Sequence, residues 1–356
     1  MGFRYLKTYN YRNLKDSKIS LSANTIYLVG ENGQGKTNFL EAVYLLCFGS
    51  AFRTRTDKML ITHGKEEMSV IGLLEKEGEN LRINYKTGEK KRIEVNGRAV
   101  SDRKELLYNT PCILFCHEDI GFVKGSPDRK RWFLNQTIGL FDPLFIDDLR
   151  RYSRILKMRN AALKEQRKDL LDVLDLQLVS QGLVLMDKRR ALAGEFSGPF
   201  GESFGEISGS SVRVELEYQP SWKEGKDPDG AMAALKASRH RDLRMGSTTT
   251  GPHRDTLGFL YQDRDYTREA STGQARLMSL IMRTAQANFY SRKTGRKPIL
   301  LLDDVLLELD PVKRGRFIQA MPVYDQAIFT FLPEEHLLDS RKSETQMLSV
   351  REGQIR

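Results

Sequence analysis

The stretch that decides the fold is GENGQGKT, residues 30–37. It follows the apolar run NTIYLVG, which is typical of a buried strand, and it precedes NFLEAVYLLCFG, where apolar residues recur at helical spacing up to Gly49. The stretch matches the pattern G-x-x-x-x-G-K-[ST], in which glycines let backbone N–H groups turn inward around phosphate oxygens. A strand, a glycine-rich loop and a helix in this order predict a phosphate-binding loop. A glycine-rich turn without a ligand is the less favoured alternative.

The positions of this loop predict distinct contacts with ATP and Mg²⁺. Lys36 would set its ammonium beside the β- and γ-phosphates as a catalytic residue, and Thr37 would offer its hydroxyl to Mg²⁺. The helix that begins near Lys36 would direct the positive end of its dipole at the same anion. The residues predicted to bind the nucleotide are Gly30, Glu31, Asn32, Gly33, Gln34, Gly35, Lys36, Thr37 and Asn38.

A second apolar run, PILLLDD at 298–304, ends in two carboxylates. A parallel core strand would otherwise avoid two adjacent acids at its end, whereas a phosphate-binding loop needs a carboxylate strand beside it. We therefore expect Asp303 to hold Mg²⁺ and Asp304 to act in catalysis by orienting or activating the attacking water. An ordinary polar strand end is the alternative.

A third segment, EASTGQARL at 269–277, opens a predicted helix. Ser271, Gly273 and Gln274 lie at its start, where a hydroxyl and exposed backbone N–H groups can bind an anion. By itself the segment would be interpreted as a plain helix cap. Its meaning as an anion site therefore depends on the other two motifs.

Composition favours a basic protein of the cytoplasm. The 356 residues carry a formal net charge of +10, which fits a polyanionic partner and equally a merely basic soluble protein. The three cysteines do not make a disulfide framework, and PCILFC (111–116) is interpreted as a buried strand in preference to a metal site with His117. Residues 1–20 contain no apolar signal core, and no apolar run reaches the ~18 residues of a membrane span.

The order of elements predicts an α/β fold with a parallel sheet, because strands and helices alternate at both ends of the chain. The expected head is discontinuous and spans 1–125 and 245–356, and an inserted, mainly helical domain spans 126–244. Within that domain GPFGESFGEISGSS (198–211) is expected to break the helical pattern.

A basic window from Arg150 to Lys168 contains eight cations and one acid. Lys and Arg side chains neutralise phosphates without reading sequence, so the window predicts a DNA-binding surface. RTRTDK (53–58) and RKR (129–131) could extend it, and a solvated helix face is the alternative. The residues predicted to contact DNA are Arg150, Arg151, Arg154, Lys157 and Arg159. In TTTGPHRDTL (248–257), the favoured interpretation is a turn anchored by an ion pair between Arg254 and Asp255.

The three motifs together resemble the ABC ATPase superfamily, in which the signature loop of one subunit closes on the nucleotide held by another. This resemblance implies an ABC-type P-loop ATPase head and a homodimer that forms on ATP. Ser271, Gly273 and Gln274 of one subunit would then act on the nucleotide of the other. LLELDPVKR (306–314) falls where the superfamily has its dimer-contacting D-loop, which Glu308 and Asp310 match.

Nearly the whole chain resembles the RecF family. The matching blocks include NYRN, FGSAFRTRTDK, EDIGFVKGSPDRKRWFLN, YSRILKMRNAAL and TTTGPHRDTL. The resemblance implies recombinational DNA repair and the SOS response, gapped double-stranded DNA as ligand, slow DNA-dependent ATP hydrolysis, and the partners RecR, RecO and RecA in the nucleoid. His117 replaces the family's usual proline, which leaves the role of Glu118 open, and Thr330 is not assigned as a γ-phosphate sensor. A chromosome-organising or transport-coupled head, or a binding module with an inactive loop, are the rival functions.

Overall fold

The computed structural model describes residues 2–75, 78–223, 227–333 and 345–356, and the side chain of Glu308 lies outside the description. The chain forms two compact units, Met1–Glu118 with Gln286–Arg356 and Asp119–Ala285. The predicted inserted domain, 126–244, falls inside the second unit, which extends further along the chain at both ends.

The strands and helices alternate along the chain much as the sequence predicts. The strands are β1 (Phe3–Tyr9), β2 (Ser17–Ser20), β3 (Thr25–Val29), β4 (Glu67–Leu74), β5 (Asn80–Lys86), β6 (Arg92–Val95), β7 (Arg98–Ala99), β8 (Cys112–Phe115), β9 (Glu215–Gln219), β10 (Thr256–Tyr261), β11 (Arg264–Asp265), β12 (Ile299–Leu302), β13 (Gln326–Phe331), β14 (Thr345–Arg351) and β15 (Gln354–Ile355). The helices are α1 (Lys36–Phe48), α2 (Lys104–Asn109), α3 (Pro127–Phe141), α4 (Leu144–Lys164), α5 (Lys168–Ser208), α6 (Pro228–Met245), α7 (Tyr266–Glu269), α8 (Thr272–Thr294) and α9 (Pro311–Gln319). No helix in the described ranges is long and apolar enough to cross a membrane.

The first unit is built on a six-stranded sheet in the order β15-β14-β3-β13-β12-β8. All neighbours from β14 to β8 are parallel, and only β15 runs antiparallel. Every residue of β8, β12 and β13 is buried, as expected of parallel strands covered on both faces. The predicted parallel core is therefore confirmed, and CILF is a buried strand.

A second, antiparallel sheet of the first unit has the order β2-β1-β4-β5-β6-β7. One of its faces packs in the same hydrophobic core as α1, through residues such as Leu6, Val70 and Ile83. Helix α1 ends at Gly49, which has a φ of 65°. A side chain would be strained at this φ, and its Cβ would lie 2.9 Å from Ile93 Cδ1, so glycine suits the position.

The second unit joins helices α3–α7 and the first part of α8 to a small sheet in the order β11-β10-β9. The predicted helix break at 198–211 is wrong, because α5 continues through Pro199 to Ser208. Phe200, Phe204 and Ile207 keep the buried helical spacing across the glycines. Gly201 allows the helix to approach the Val214 carbonyl, since a Cβ would lie 3.1 Å from that oxygen. Apolar periodicity thus overrides the local turn signals.

Candidate nucleotide-binding site

The loop between β3 and α1 has the backbone that a phosphate cradle requires. Gly33 and Gly35 adopt φ of 77° and 119°, which other residues rarely reach. A Cβ on Gly30 would lie 2.3 Å from the Val350 carbonyl oxygen, so β14 restricts that position to glycine. The loop borders a cavity of about 200 Å³. Its lining residues are Glu31, Asn32, Gly33, Gly35, Lys36, Thr37, Asn38, Arg53 and Asp304.

Lys36 is held against the loop by neutral partners. Its side chain is buried, with 3% exposed, and Nζ donates to the carbonyl oxygens of Gly30 at 2.7 Å and Glu31 at 3.2 Å. It forms no ion pair with any residue the structure describes. A buried ammonium bonded only to carbonyls retains a full positive charge for an anion.

Thr37 and Asp303, the two residues predicted to bind magnesium, are in direct contact. The Thr37 hydroxyl donates to Asp303 Oδ1 at 2.8 Å, so the Asp303 carboxylate lies directly behind a residue that lines the cavity. Burial raises the pKa of the Asp303 carboxyl to about 6, and the negative charges of Asp304 and Glu118 add to this rise, while the Thr37 hydrogen bond opposes it. A hydroxyl and a carboxylate are the hard oxygen donors that suit Mg²⁺.

Asp304 is held in an unusual backbone conformation by Thr330. Its φ is 52°, in the left-handed region. The Asp304 N–H donates to Thr330 Oγ1 at 2.7 Å, and that hydroxyl donates back to Asp304 Oδ1 at 2.7 Å. The carboxylate therefore has a fixed direction at the cavity. No role was assigned to this threonine from the sequence, although a polar residue within the apolar run AIFTF (327–331) was a usable signal.

A buried carboxylate on α1 supports the loop from behind, and sequence reasoning missed it. Glu41 is fully buried and accepts from Arg12 Nε at 2.8 Å and from Arg53 Nη2 at 2.9 Å. Arg53 also donates to the Asn38 side chain. Arg53 therefore lines the same cavity as the loop, and its part in a DNA track stays a prediction. A lone acid within the apolar run of α1 was the available signal.

The C-terminal strands hold the loop in place. Gly353 N–H donates to the Gln34 carbonyl at 2.9 Å, and the Glu352 N–H donates to the Gln34 side chain at 2.5 Å. Asn13 Nδ2 donates to the Gly33 carbonyl at 3.2 Å. The side chain of Gln34 thus positions the loop instead of facing the cavity.

The signature residues begin α8 in the second unit. The Gln274 N–H donates to Ser271 Oγ at 3.1 Å and the Ser271 N–H donates to Gln274 Oε1 at 2.7 Å, which is a reciprocal capping box. The plain cap considered from the sequence is therefore present. Because Ser271 Oγ accepts in this contact, its proton can still donate to an anion. Ser271, Gly273 and Gln274 are all exposed.

Of the two D-loop residues, Asp310 caps α9 by accepting from Lys313 N–H at 2.9 Å. Its exposed carboxylate also pairs with Lys313 Nζ at 2.8 Å. The side chain of Glu308 falls outside the described part of the chain.

The basic window divides into two faces of α4. Arg150, Arg151, Arg154 and Lys157 are exposed. Arg159 is fully buried, so its assignment as a DNA contact is wrong. It lies one heptad after buried Tyr152 on the inward stripe, where neighbouring elements surround it.

The partners of Arg159 are carboxylates. Its Nε donates to Asp175 at 2.6 Å and its Nη1 to Asp242 at 2.9 Å and Thr248 at 2.8 Å. Arg159 thereby cross-links α4, α5 and α6. We call Arg159, Asp175 and Asp242 the arm ion cluster.

The RKR segment offers no continuous track either. Arg131 is buried and donates to the Asp255 carbonyl at 2.5 Å, and Lys130 donates to the Leu257 carbonyl at 2.9 Å. Both residues bind α3 to the start of β10.

The GPHRD turn is anchored differently from the prediction. Asp255 pairs with Arg189 at 2.9 Å, whereas Arg254 is exposed. His253 Nε2 donates to the Thr248 carbonyl at 3.0 Å, because a carbonyl only accepts, and Nδ1 then accepts from Tyr152 at 2.8 Å. Burial lowers the pKa of His253 to about 4, so the ring is neutral at physiological pH.

Known proteins resemble this chain over its full length. The family model described as RecF/RecN/SMC N terminal domain matches residues 3–354. The DNA replication and repair protein RecF of Treponema pallidum (strain Nichols) is 41% identical over 348 residues, covering 97% of this chain and 98% of that protein. The DNA replication and repair protein RecF of Leptospira interrogans serogroup Icterohaemorrhagiae serovar Lai (strain 56601) is 31% identical over 367 residues, covering 100% of this chain and 99% of that protein.

Solved structures agree with this similarity. A structure of the recombination mediator protein RecF with ATP has a TM-score of 0.89 at 27% identity, covering 99% of this chain and 96% of the other. An Smc head bound to a domain of ScpA has a TM-score of 0.58 at 15% identity, which shows the shared fold alone. The chain therefore has an ABC-type ATPase head fold and belongs to the RecF family of DNA replication and repair proteins.

Proposed function

We propose that this protein is an ATP-dependent DNA-binding protein of recombinational DNA repair. It dimerises on ATP, binds duplex DNA at single-strand gaps, and promotes loading of RecA, with slow hydrolysis as the switch. The observation that carries the proposal is the arrangement of Lys36, Thr37 and Asp304 around one cavity, with Asp303 hydrogen-bonded to Thr37. The similarity to RecF proteins, one of them solved with ATP, supports the nucleotide.

The phosphates of ATP would occupy the cavity, where they would replace backbone carbonyls as the partners of Lys36. The ammonium leaves the carbonyls of Gly30 and Glu31 and pairs with an anion, while the loop N–H groups and the start of α1 contribute further positive potential. Thr37 and Asp303 would hold Mg²⁺, which neutralises charge on the phosphates during transfer. Asp304, fixed by Thr330, orients the attacking water and accepts its proton.

Dimerisation would follow because one copy holds the phosphates in its loop and a second copy contacts them with its Ser271. The exposed Ser271 hydroxyl and the N-terminus of α8 can bind a phosphate held by a second copy. Slow hydrolysis then reopens the dimer, since the shared phosphate is lost.

DNA binding would use the exposed cations of α4, namely Arg150, Arg151, Arg154 and Lys157. These residues can contact phosphates and carry no base-reading pattern, which fits recognition of duplex shape. RecR, RecO and RecA are the proposed protein partners, and the nucleoid in the cytoplasm is the proposed location.

The test measures ATP hydrolysis by the purified protein with and without gapped duplex, and sizes the protein with a non-cleavable ATP analogue. We expect DNA to stimulate hydrolysis and the analogue to produce dimers. Lys36→Arg should bind nucleotide and lose hydrolysis by about 100-fold or more, because a displaced charge no longer meets the transition state. Lys65→Arg, in an exposed turn, is the matched control.

Other outcomes would reject the proposal. A hydrolysis rate indifferent to DNA would favour a chromosome-organising or transport-coupled head, and no hydrolysis would favour a binding module. Normal turnover by Lys36→Arg would show that the site is elsewhere.

A further inference from the structure

The outer face of the antiparallel sheet carries cations and aromatic rings in a regular grid. Along β1, Leu6 and Thr8 are buried, whereas Lys7 and Tyr9 are exposed and Tyr5 is half-buried. The alternation of a strand sends these two sets to opposite faces. We define the outer sheet face by these outward residues: Tyr5, Lys7, Tyr9, Lys18, Glu67, Ser69, Ile71, Leu73, Arg82, Asn84, Lys86, Arg92 and Glu94.

Strand register arranges this face in rows. One row passes through directly paired residues Lys18, Lys7, Ile71, Arg82 and Glu94. The next row passes through Tyr9, Ser69, Asn84 and Arg92. Four cations thus share the two rows with one carboxylate, that of Glu94.

The cations of these two rows outnumber the carboxylates by four to one, and the one carboxylate, Glu94, lies directly opposite Arg82. Lys7 and Lys18 lie directly opposite each other, an arrangement of like charges that destabilises a sheet. Lys18 Nζ lies 4.1 Å from the centre of the Tyr5 ring. Lys7, Lys18, Arg82 and Arg92 form no ion pairs with other described residues. Bound phosphates would relieve the repulsion.

Apolar and aromatic groups lie between the cations. Tyr9 is 44% exposed, and Ile71 and Leu73 are half-buried on the same face. A hollow of about 280 Å³ opens beside the second row. Its lining combines Tyr9, Ser69, Asn84 and Tyr85 with the cations Lys86, Lys90 and Arg92 and the carboxylates Glu67, Glu89 and Glu94. Outward residues along β1 lie about 6.8 Å apart, so a cation alternates with a ring along an extended path. Duplex DNA hides the faces of its bases, whereas a single strand can stack them on such rings.

We propose that the outer sheet face binds single-stranded DNA. Lys7, Lys18 and Arg92 neutralise its phosphates, and Tyr9 stacks on a base, with the hollow receiving the neighbouring nucleotide. The inference rests on the proposed DNA-binding function and assigns the unpaired strand of a gap to this surface, separate from the cations of α4.

The test is the binding of a fluorescein-labelled oligothymidylate and of a duplex of equal length, followed by anisotropy. Lys7→Glu with Lys18→Glu should weaken single-strand binding at least about tenfold. Tyr9→Ala should weaken it roughly fivefold or more and leave duplex binding within about twofold. Lys65→Glu, a charge reversal off the sheet, should change neither. All the replaced side chains are exposed, and thermal unfolding confirms that each variant folds.

Three results separate this inference from the proposed function. Wild-type affinity for the oligothymidylate in both sheet variants would overturn the inference. Equal losses of single-strand and duplex binding in Tyr9→Ala would overturn it as well, because stacking would then play no part. In either case, DNA-stimulated hydrolysis by the wild-type protein would leave the proposed function standing. If wild-type hydrolysis ignores DNA while Tyr9→Ala loses the single strand, only the proposed function fails.

Discussion

Lys36 in the phosphate-binding loop and Arg159 in α4 are both cations almost entirely removed from water. Lys36 is 3% exposed and bonded to two neutral carbonyls. Arg159 is 0% exposed and bonded to two carboxylates and a hydroxyl. The loop therefore retains a positive charge for a ligand, whereas the arm ion cluster has already used its own.

The difference shows what a buried cation is for. Desolvating a charge costs several kcal/mol, and carboxylate partners can offset that cost inside the fold. Where such partners are missing, the protein remains destabilised until an anion arrives. Arg159 is thus a cross-link between helices, whereas Lys36 is the cation of the proposed phosphate site.

The largest expected effect breaks the cross-link. Arg159→Ala leaves Asp242 buried without a cation and leaves Asp175 with Arg239 alone, and should lower the free energy of unfolding by about 3–5 kcal/mol. Lys36→Ala should leave the nucleotide-free stability unchanged within about 1 kcal/mol, because it removes an uncompensated charge together with two neutral hydrogen bonds. Urea unfolding of both variants measures the contrast.

Equal losses in the two variants would contradict the comparison. Arg154→Ala is the matched control on the same helix. Its side chain is exposed, so the change should stay within about 0.5 kcal/mol.

The next largest effect concerns how the binding of Mg²⁺ with ATP depends on pH. Asp303 must ionise to hold Mg²⁺, and its pKa is raised to about 6. Binding of Mg²⁺ with ATP should therefore be about tenfold weaker at pH 5 than at pH 7. Calorimetric titration measures it, and Asp303→Asn is the control. The ratio of the two profiles removes the titration of the nucleotide itself, and a flat ratio would contradict the prediction.

The Asp303 carboxyl also determines the direction in which the stability of the nucleotide-free protein changes with pH. Its folded pKa lies above the ordinary value of 3.8. Protonated Asp303 therefore contributes stability that is fully present below about pH 3.8 and is lost as the pH rises through about 6. Binding of a divalent cation would restore it.

Sequence predicts those parts of the molecule whose backbone is dictated by local chemistry. GENGQGKT requires glycines at fixed places, and PILLLDD combines an apolar strand with two acids, so the loop, α1, β12 and the positions of Thr37 and Asp303 follow from spacing. Gly30 shows the limit even there. Its restriction to glycine comes from β14, more than 300 residues away in the chain.

Features that depend on direction or on distant partners could not be predicted in this way. Counting charges in α4 did not show that Arg159 points inward, because that depends on carboxylates of α5 and α6. Thr330 became important only once β13 was placed beside β12. From the local sequence, the turn residues at 198–211 predicted a break in the helix. In the folded protein the helical spacing of the phenylalanines decides instead, because their burial keeps α5 continuous.

The smallest expected effect concerns the exposed side of α4, where cations lack the burial that distinguishes Lys36 from Arg159. Arg154→Ala should weaken gapped-duplex binding only a few-fold and lower the slope of log affinity against log salt by about one, since one phosphate contact is lost. The loss should be the same for unrelated DNA sequences. Salt titrations with a labelled duplex measure both quantities.

Lys236→Ala, which removes an exposed cation of α6, is the control and should keep the wild-type slope. Should Arg154→Ala also keep that slope, α4 would be a solvated face and not a DNA surface. An exposed cation can be a hydrated surface residue or a DNA contact, since water stabilises its charge as well as a phosphate does. Only the release of counterions on binding distinguishes the two, and for that reason the salt dependence decides and the affinity alone does not.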